Sequence, residues 1–355
     1  MPTLCCLYRY LALGFASTIL SHGSRSSKST VDLNSNQSLA LDDLLQRVTS
    51  RLEEGSKYTL FTSDGSGFGN LARGMVATLA LSLITNRRFL IDSKSTYFQL
   101  FDQPLSKVSI SKSSVKFHGL KAYGRKLLRM GQPTQSFAKN ILGSLTSAAD
   151  YIEHDAGCTF ADFFYTDEYR DRWRTVFGRD LRWDEIDVLL VMWLFQSPKE
   201  ELLSNTQRVL DSIHWSTFSQ HLVVQYRGFV DVAYKNGKTF DKDIHLIKDQ
   251  VMLFKSHHQS QLSDVLIYVT SDSFDWSKAI QAHLRKSFPH VVVSSLFPNT
   301  HSARADSSDL VKVQGMVDWV ILGLARDTIC TGSTYCISAR ARVGMGSPQC
   351  KKMMT

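Results

Sequence analysis

Tyr58-Thr-Leu-Phe-Thr-Ser-Asp-Gly-Ser-Gly-Phe-Gly-Asn70 is the stretch of sequence on which the fold prediction rests. Tyr58–Thr62 has the aromatic and β-branched residues of a short strand, and a glycine-rich turn follows it. The apolar run from Leu71 to about Ile84 predicts a helix, and Arg88–Asp92 predicts a second strand. A strand, a glycine loop, a helix and a strand in this order predict a βαβ unit and therefore a parallel sheet.

The same alternation returns in the second half of the chain, after a helix at Arg182–Phe195. The predicted strands there are Leu222–Arg227, Val265–Thr270, Val291–Ser295 and Thr328–Thr331. The predicted helices between them are Lys242–His258, Trp276–Phe288 and Asp309–Leu324. A chain of 355 residues is long enough for about two domains, so we predict two α/β domains, 57–215 and 216–345, with a tail at 346–355.

The N-terminal segment reads as a targeting signal. Leu4–Leu20 contains one charged residue, Arg9, and a Ser/Asn-rich tract follows it. We therefore predict a signal anchor or signal peptide at 1–21 and a stem with a leading helix, which starts near Leu39, at 22–56. Asn36-Gln-Ser38 is a glycosylation sequon, which agrees with a lumenal stem. The expectation is a secretory-pathway protein that contacts the membrane through this segment.

The formal net charge of +8 is distributed unevenly. Residues 57–149 carry 13 Lys/Arg and three acids, whereas residues 150–215 carry seven Lys/Arg and 14 acids. The main basic run extends from Lys107 to Arg129, and it fits a solvated face, an anionic acceptor or a membrane surface. No aromatic-interleaved basic motif accompanies it, so we do not expect a nucleic-acid partner.

Three interpretations fit the glycine loop Gly65-x-Gly67-x-Gly69-Asn70. The first is a dinucleotide site, with Asp92 near the position of a ribose-binding acid. Its third glycine comes one residue early for that motif, and Asn70 stands where a small residue packs the helix. The second is a tight turn without a ligand, and the third is a nucleotide-sugar enzyme.

Other polar motifs carry less information. Asp241-Lys-Asp243 resembles a metal-binding triplet, but it opens a predicted helix, where acids favour the dipole. His257-His258 is interpreted as a polar helix end. The general-base candidates are Glu153, His154, Asp155 and Asp162, and the sequence does not choose among them.

Cysteine usage leaves the disulfide pattern open. Cys5 and Cys6 fall in the targeting segment, so an oxidising lumen leaves three ways to pair the other four. These four are Cys158, Cys330, Cys336 and Cys350.

Four patches in order resemble the GDP-fucose-dependent fucosyltransferases, with the plant xyloglucan type and the related alpha-1,2 and alpha-1,6 enzymes the most similar in pattern. The first is Gly67-Phe-Gly-Asn-Leu-Ala-Arg-Gly-Met75, which leads into Leu79-Ala-Leu-Ser-Leu-Ile-Thr-Asn-Arg-Arg-Phe-Leu-Ile-Asp92. The second is Val223-Val-Gln-Tyr-Arg-Gly-Phe229, and the third is Tyr268-Val-Thr-Ser-Asp-Ser273. The fourth runs from Asp318 to Cys336 and ends in a Ser/Thr-rich turn.

The resemblance implies a GT-B-like α/β fold, with two Rossmann-like domains facing across a cleft. It implies inverting transfer of fucose from GDP-fucose to a glycan hydroxyl, without a metal or a further cofactor, in a Golgi type II or secreted protein. Arg227 then stabilises charge on the departing diphosphate, because a guanidinium binds phosphate through two nitrogens. The other donor-binding residues implied are Gly67, Gly69, Asn70, Arg73, Ser271, Asp272, Ser273, Ser333 and Thr334.

This chain departs from the family pattern at three places. Gln225 stands where histidine is common, Gly228 stands where some relatives carry a second arginine, and Ile337-Ser-Ala-Arg-Ala-Arg-Val-Gly344 replaces an uncharged glycine-rich helix start. Two alternatives therefore remain beside the enzyme: a non-catalytic nucleotide- or sugar-binding descendant, and an NAD-dependent oxidoreductase.

Overall fold

Two parallel β-sheets with flanking helices make up the fold. The computed structural model describes residues 35–62, 68–93, 95, 97–102, 109–110, 121–123, 151–155, 164–226, 240–258, 264–271, 273–293, 309–325, 327–330 and 334–342. The chain divides into two units between Lys199 and Glu200, and the second unit runs to Arg340.

The first unit carries a five-stranded sheet. Its strands are β1 (Lys57–Thr62), β2 (Arg87–Asp92), β3 (Ser109–Ile110), β4 (Lys121–Tyr123) and β5 (Tyr151–Asp155). Its helices are α1 (Ser35–Glu54), α2 (Phe68–Ile84), α3 (Tyr97–Leu100), α4 (Arg170–Phe177) and α5 (Trp183–Phe195). The spatial strand order is β3-β2-β1-β5-β4, and all pairs are parallel.

Helix α2 is buried on nearly every side, because it packs against β1, β2 and the helices α1, α4 and α5. Its sequence is apolar all round, which is the pattern of a core helix and not of a surface helix. The few hydroxyls within it are satisfied locally, since Thr78 donates to the Gly74 carbonyl and Ser82 to the Thr78 carbonyl.

The second unit carries a four-stranded parallel sheet with the spatial order β8-β7-β6-β9. Its strands are β6 (Gln220–Tyr226), β7 (Val265–Ser271), β8 (Val291–Val293) and β9 (Asp327–Cys330). Its helices are α6 (Glu200–Ser212), α7 (Phe240–His258), α8 (Phe274–Leu284), α9 (Asp309–Leu324) and α10 (Thr334–Arg342).

Helices cover both faces of this second sheet. On one face, apolar residues of α7 and α8 pack against alternate residues of β6 and β7, with Ile247 and Ile280 fully buried among them. On the other face lies α9, whose Asp318 contacts β7. Strands buried on both faces are typical of doubly wound α/β units.

Most predicted elements are present within a few residues of their expected ends. The elements without a sequence-based counterpart are β3, β4, β5, α3 and α4 of the first unit and α6 of the second unit. Helix α6, which begins at Glu200, packs against α9 and belongs to the second unit.

Within the described residues, no helix combines the length and apolar character needed to span a bilayer. The predicted segment 1–21 and most of the basic run from Lys107 to Arg129 lie outside these residues.

Candidate functional site

Each sheet has one point at which the strand order changes direction. In the first sheet this switch lies between β1 and β5, and in the second it lies between β6 and β9. Ligands of open parallel sheets bind outside the carboxyl ends of the strands at such a point. The glycine loop follows β1 directly in the sequence, Arg227 follows β6, and Thr331–Thr334 follows β9. The glycine loop, Arg227 and Ser333-Thr334 therefore belong to the segments that follow the strands at the two switch points.

An aromatic anchor holds the helix that follows the glycine loop. Phe68, the first residue of α2, lies 5.9 Å from Phe195 and 6.4 Å from Phe101 between ring centroids. The next residues, Gly69 and Asn70, form the first turn of α2, where backbone N–H groups have no partner within the helix. Gly69 is buried and Asn70 is half-buried, whereas Gly65 and Gly67 lie outside the described residues.

Arg73, one turn further along α2, is buried and binds Asp187 on α5. Its Nη1 lies 2.6 and 2.8 Å from the two carboxylate oxygens. Asp187 also accepts a hydrogen bond from the Tyr165 hydroxyl at 3.3 Å. The structure thus gives this guanidinium a partner inside the first unit, and its predicted role at the donor stays a prediction.

Of the general-base candidates, Glu153 is the one whose side chain the structure describes. It is buried on β5, beside the switch point of the first sheet, and accepts a hydrogen bond from the Thr62 hydroxyl at 3.4 Å. His154 and Asp155 complete β5, and Asp162 lies outside the described residues.

In the second unit, Tyr226 fixes the end of β6 directly before Arg227. Its ring packs edge-on against Trp276 at 5.4 Å, and its hydroxyl donates to Asp243 Oδ2 at 2.8 Å. Tyr226 therefore joins the carboxyl end of β6 to the first turns of both α7 and α8. Arg227 itself lies outside the described residues.

Gln225, which stands where relatives commonly carry histidine, is buried near the same strand end. It is opposite Thr270 on β7 and Cys330 on β9. Its side-chain oxygen is buried and accepts no hydrogen bond from the described residues. An acceptor in this state is costly in a dry interior, so a donor group from water or from a ligand would stabilise it.

The turn between β7 and α8 carries Ser271 and Ser273. The Ser271 hydroxyl accepts a hydrogen bond from the Ser273 N–H at 3.3 Å, and this bond closes the turn locally. Ser273 is the N-cap residue of α8, and its side chain makes no capping bond. Asp272 lies outside the described residues.

A buried carboxylate that sequence reasoning missed lies directly behind this turn. Asp318 on α9 accepts hydrogen bonds from Tyr268 at 2.6 Å, Thr270 at 2.7 Å and Gln314 at 2.7 Å. The signal in the sequence is a single acid within the apolar run Met316–Ala325. A lone acid in such a run needs several donors to be stable in the interior.

A disulfide closes the segment between β9 and α10. It joins Cys330 to Cys336 across a Cα–Cα distance of 6.3 Å. This pairing resolves part of the open cysteine pattern, while Cys158 and Cys350 lie outside the described residues. Of the predicted phosphate-binding residues, Thr334 is the first residue of α10 and Ser333 is outside the described residues.

One arginine of the stretch Ile337–Gly344, at the end of α10, has a structural explanation. Arg340 is buried and donates to the Ala325 carbonyl through Nη1. Burial lowers the pKa of its guanidinium to about 10, with Asp327 acting in the opposite direction. Tyr335, at the other end of the helix, donates to the Gly315 carbonyl, and burial together with the Asp318 charge raises the pKa of its phenol.

The two weaker polar motifs lie at helix ends. Asp241 and Asp243 are in the first turn of α7, where Asp243 accepts the bond from Tyr226, and His257-His258 ends this helix. In the described part of the chain, no three His, Cys, Asp or Glu residues are grouped closely enough to hold a metal ion.

Comparison with known proteins places the fold among nucleotide-bound fucosyltransferases. No family model matches the sequence, and no curated protein matches it. A GDP complex of a mutant of Arabidopsis thaliana FUT1 superposes with a TM-score of 0.57 at 13% identity, over 96% of this chain and 82% of that one. Two structures of the alpha-1,6-fucosyltransferase NodZ, one co-crystallized with GDP and one soaked with GDP-fucose, each superpose with a TM-score of 0.50. Their identities are 14% and 16%, over 80% of this chain and 92% of NodZ, whose source is given as Bradyrhizobium for a further structure.

These likenesses confirm the predicted fold class, an α/β protein of GT-B type with two Rossmann-like units. They also confirm, at the level of the fold, the resemblance to fucosyltransferases seen in the sequence.

Proposed function

We propose that the chain is an inverting fucosyltransferase that uses GDP-fucose as donor and a glycan hydroxyl as acceptor. The observation that carries this proposal is the switch point of the second sheet between β6 and β9. The two segments that leave it contain Arg227 and Ser333-Thr334, the residues that the family resemblance assigns to the diphosphate. The GDP bound in the FUT1 and NodZ structures supports the same choice of nucleotide.

The reaction is one displacement at the anomeric carbon of fucose. The acceptor oxygen forms the new bond to C1, the bond from C1 to the β-phosphate oxygen breaks, and the acceptor proton passes to a base. Charge grows on the departing GDP, and Arg227 and the N–H groups at the start of α10 would stabilise it. The proposal includes no metal ion and no cofactor besides the donor.

In this proposal the second unit binds the donor. Ser271, Asp272 and Ser273 follow β7, the strand beside β6, and would contact the nucleoside part. Gly67, Gly69 and Asn70 of the glycine loop keep, within this proposal, the donor-binding role that the family resemblance implies. A Golgi membrane location through residues 1–21, as a type II protein, or secretion of the lumenal part, completes the proposal.

The test begins with nucleotide binding by the full chain, produced in a secretory host. Thermal unfolding with GDP, GDP-fucose, UDP, CMP and NAD, each with and without a chelator, ranks the nucleotides, since at equal concentration a ligand with a lower Kd stabilises the folded state more. We expect GDP and GDP-fucose to raise the midpoint most, with no effect of the chelator. Stabilisation by NAD alone would instead favour an oxidoreductase.

The second step uses Arg227→Ala, with Arg208→Ala as a matched control because Arg208 is exposed on α6 of the same unit. Removal of one charge-stabilising donor lowers kcat/KM by about 100-fold or more in other enzymes. We expect a loss of this size for Arg227→Ala and none for Arg208→Ala, with GDP release measured over a glycan acceptor panel. Unchanged turnover in Arg227→Ala contradicts the assigned donor site, and GDP binding without any transfer or hydrolysis favours the non-catalytic descendant.

A further inference from the structure

The buried carboxylate of Asp318 lies where three elements of the second unit meet. It accepts hydrogen bonds from Tyr268 and Thr270 on β7 and from Gln314 one turn earlier on its own helix, α9. The third element is α10, whose Tyr335 donates to the carbonyl of Gly315 on α9. The carbonyl that Tyr335 binds belongs to Gly315, which lies three residues before Asp318 on the same helix.

Two of these contacts are adjacent in sequence to residues of the proposed donor site. Thr270 directly precedes Ser271, the last residue of β7, and Tyr335 directly follows Thr334, the first residue of α10. Because Tyr268 and Thr270 are two residues apart on one strand, their side chains lie on the same face of the sheet, toward α9. Helix α9 thus contacts the ends of two elements that the proposed function assigns to the nucleotide, and Asp318 makes the bonds to β7.

Stability alone does not account for a charge at this position. Exchange of a buried ionic group for apolar side chains of similar size is often neutral or stabilising, whereas a fully bonded polar network fixes one geometry. Asp318 is 2% exposed and accepts short bonds from both strand hydroxyls, so it specifies the position of β7 relative to α9.

We propose that Asp318 is a positioning residue of the donor site, whose carboxylate holds the carboxyl end of β7 against α9 in the arrangement that binds the nucleotide. This inference rests on the proposed function for the identity of the ligand. Asp318 acts through Thr270 and does not itself contact the donor.

The main test compares Asp318→Asn with Gln281→Met. The asparagine has nearly the same shape, but its N–H₂ group replaces one of the two acceptor oxygens, so the bonds made at that oxygen are lost. Gln281 is also buried in the second unit and donates to the Val291 carbonyl at 2.9 Å, on the β8 side and away from both donor segments. Both variants lose a buried polar bond, so the pair separates positioning from general destabilisation.

GDP affinity is measured by calorimetry well below the unfolding midpoint of each variant. We expect Asp318→Asn to weaken GDP binding by about tenfold or more and Gln281→Met to change it by less than about twofold. Equal GDP affinities for Asp318→Asn and wild type, or an equal loss in both variants, would overturn the proposal.

Thr270 provides a second, milder pair of variants if Asp318→Asn does not fold. Thr270→Val removes the hydroxyl and should weaken GDP binding. Thr270→Ser retains the hydroxyl and should keep the GDP affinity of wild type. Where both single variants fold, Asp318→Asn combined with Thr270→Val should cost no more affinity than Asp318→Asn alone, because the two groups act as one unit. Unchanged affinity in Thr270→Val, or additive losses in the double variant, would count against positioning through Thr270.

A measurement that does not depend on GDP binding distinguishes failure of the proposed function from failure of the positioning role of Asp318. If wild type binds no GDP, hydrogen exchange at the Ser273 amide, which donates to the Ser271 hydroxyl, still reports the position of the turn. Faster exchange in Asp318→Asn or Thr270→Val than in Gln281→Met then supports the coupling, and equal rates overturn it.

Discussion

Arg73 and Asp187 form a buried ion pair, with 2.6 Å between Nη1 and Oδ2, that joins the glycine-loop helix to α5. The arginine side chain is 5% exposed and the aspartate side chain 17% exposed. The pair therefore fixes the distance between two helices that flank the first sheet. It also gives Arg73 a structural role that the sequence motif alone did not indicate.

The first prediction is that Asp187→Asn lowers the free energy of unfolding by about 3–5 kcal/mol, because it leaves a buried guanidinium without its counter-charge. Urea unfolding measures the loss. Asp184→Asn is the matched control, since Asp184 is an exposed partner of Arg182 on the same helix and should cost less than about 1 kcal/mol. Equal costs in the two variants would show that the Arg73 pair contributes no more than a surface pair.

The second prediction concerns the role of Arg73 itself. Arg73→Met combined with Asp187→Leu removes both charges, and the stability of this double variant should exceed that of Asp187→Asn. If Arg73 is structural, the double variant retains the GDP affinity of wild type in calorimetry. A clear loss of GDP affinity in a folded double variant would instead support the donor role implied by the family resemblance.

The third prediction is that Cys330 and Cys336 are oxidised in the protein from a secretory host. Peptide mapping without reductant should recover the two cysteines in one cross-linked peptide. Closure of such a short loop contributes about 2 kcal/mol of stability, which Cys330→Ser combined with Cys336→Ser should lose. Cys158→Ser serves as the control, and it should leave the cross-linked peptide unchanged.

The fourth prediction is a fall in stability under mildly acid conditions that depends on His221. Burial lowers the pKa of this imidazole below the usual 6.5, and the bond to the Trp215 carbonyl opposes the shift only in part. In the range between the two pKa values the unfolded chain binds a proton that the folded chain does not, so stability rises with pH there. The contribution of His221 to the free energy of unfolding is complete above pH 6.5, and it is lost as the pH falls through the pKa of the folded state.

His221→Gln removes this titration and retains a side-chain N–H that can donate to the carbonyl. The free energy of unfolding, measured across the acid range, should then have a smaller pH slope in His221→Gln than in wild type. The half-buried His283 has its pKa lowered by burial and by Lys286, His245 and Lys248, so part of the slope should remain. Identical slopes in the variant and wild type would contradict the assignment to His221.

The fifth prediction concerns Gly55, which lies between α1 and β1. A Cβ atom there would lie 2.7 Å from the Arg88 nitrogen and 2.8 Å from the Arg87 carbonyl carbon, both in the backbone of β2. Gly55→Ala should therefore lower the free energy of unfolding by about 1–3 kcal/mol, because β2 has to move. Ser56→Ala, at the exposed neighbour, should stay near wild type in the same thermal unfolding measurement.

The sequence predicted the fold best where elements have a clear period and distinct boundaries. Leu60 and Phe61 on β1, the long apolar helix α2 and the strands β6 and β7 follow their expected patterns closely. The strand β5 was missed because Tyr151-Ile-Glu-His-Asp155 is short and polar, yet it pairs beside β1 near the centre of the sheet. It forms a strand because it pairs with β1 and β4, and the propensities of its own residues do not predict this pairing.

The candidate site was predicted only as far as local motifs reach. The turn at Ser271 follows from turn signals in the chain, whereas α10 begins at Thr334, ahead of the helix start that the family resemblance implied at Ile337–Gly344. The partners Asp187 and Asp318 were not foreseen, since both bond to residues distant in sequence and each belongs to a helix that reads as apolar. Such pairs depend on how helices pack on a sheet, and the spacing of residues along the chain does not specify this packing.

The strand β6 pairs with β7 on one side and with β9 on the other, so Leu222 is bonded both to the segment near Ile267 and to the one near Asp327. During synthesis, β7 becomes available long before β9 does. Until then one edge of β6 is open, and open strand edges promote association between chains. Premature termination ahead of Asp327 would leave that edge exposed for the life of the molecule, so we expect such products to aggregate and not to accumulate as a folded nucleotide-binding fragment.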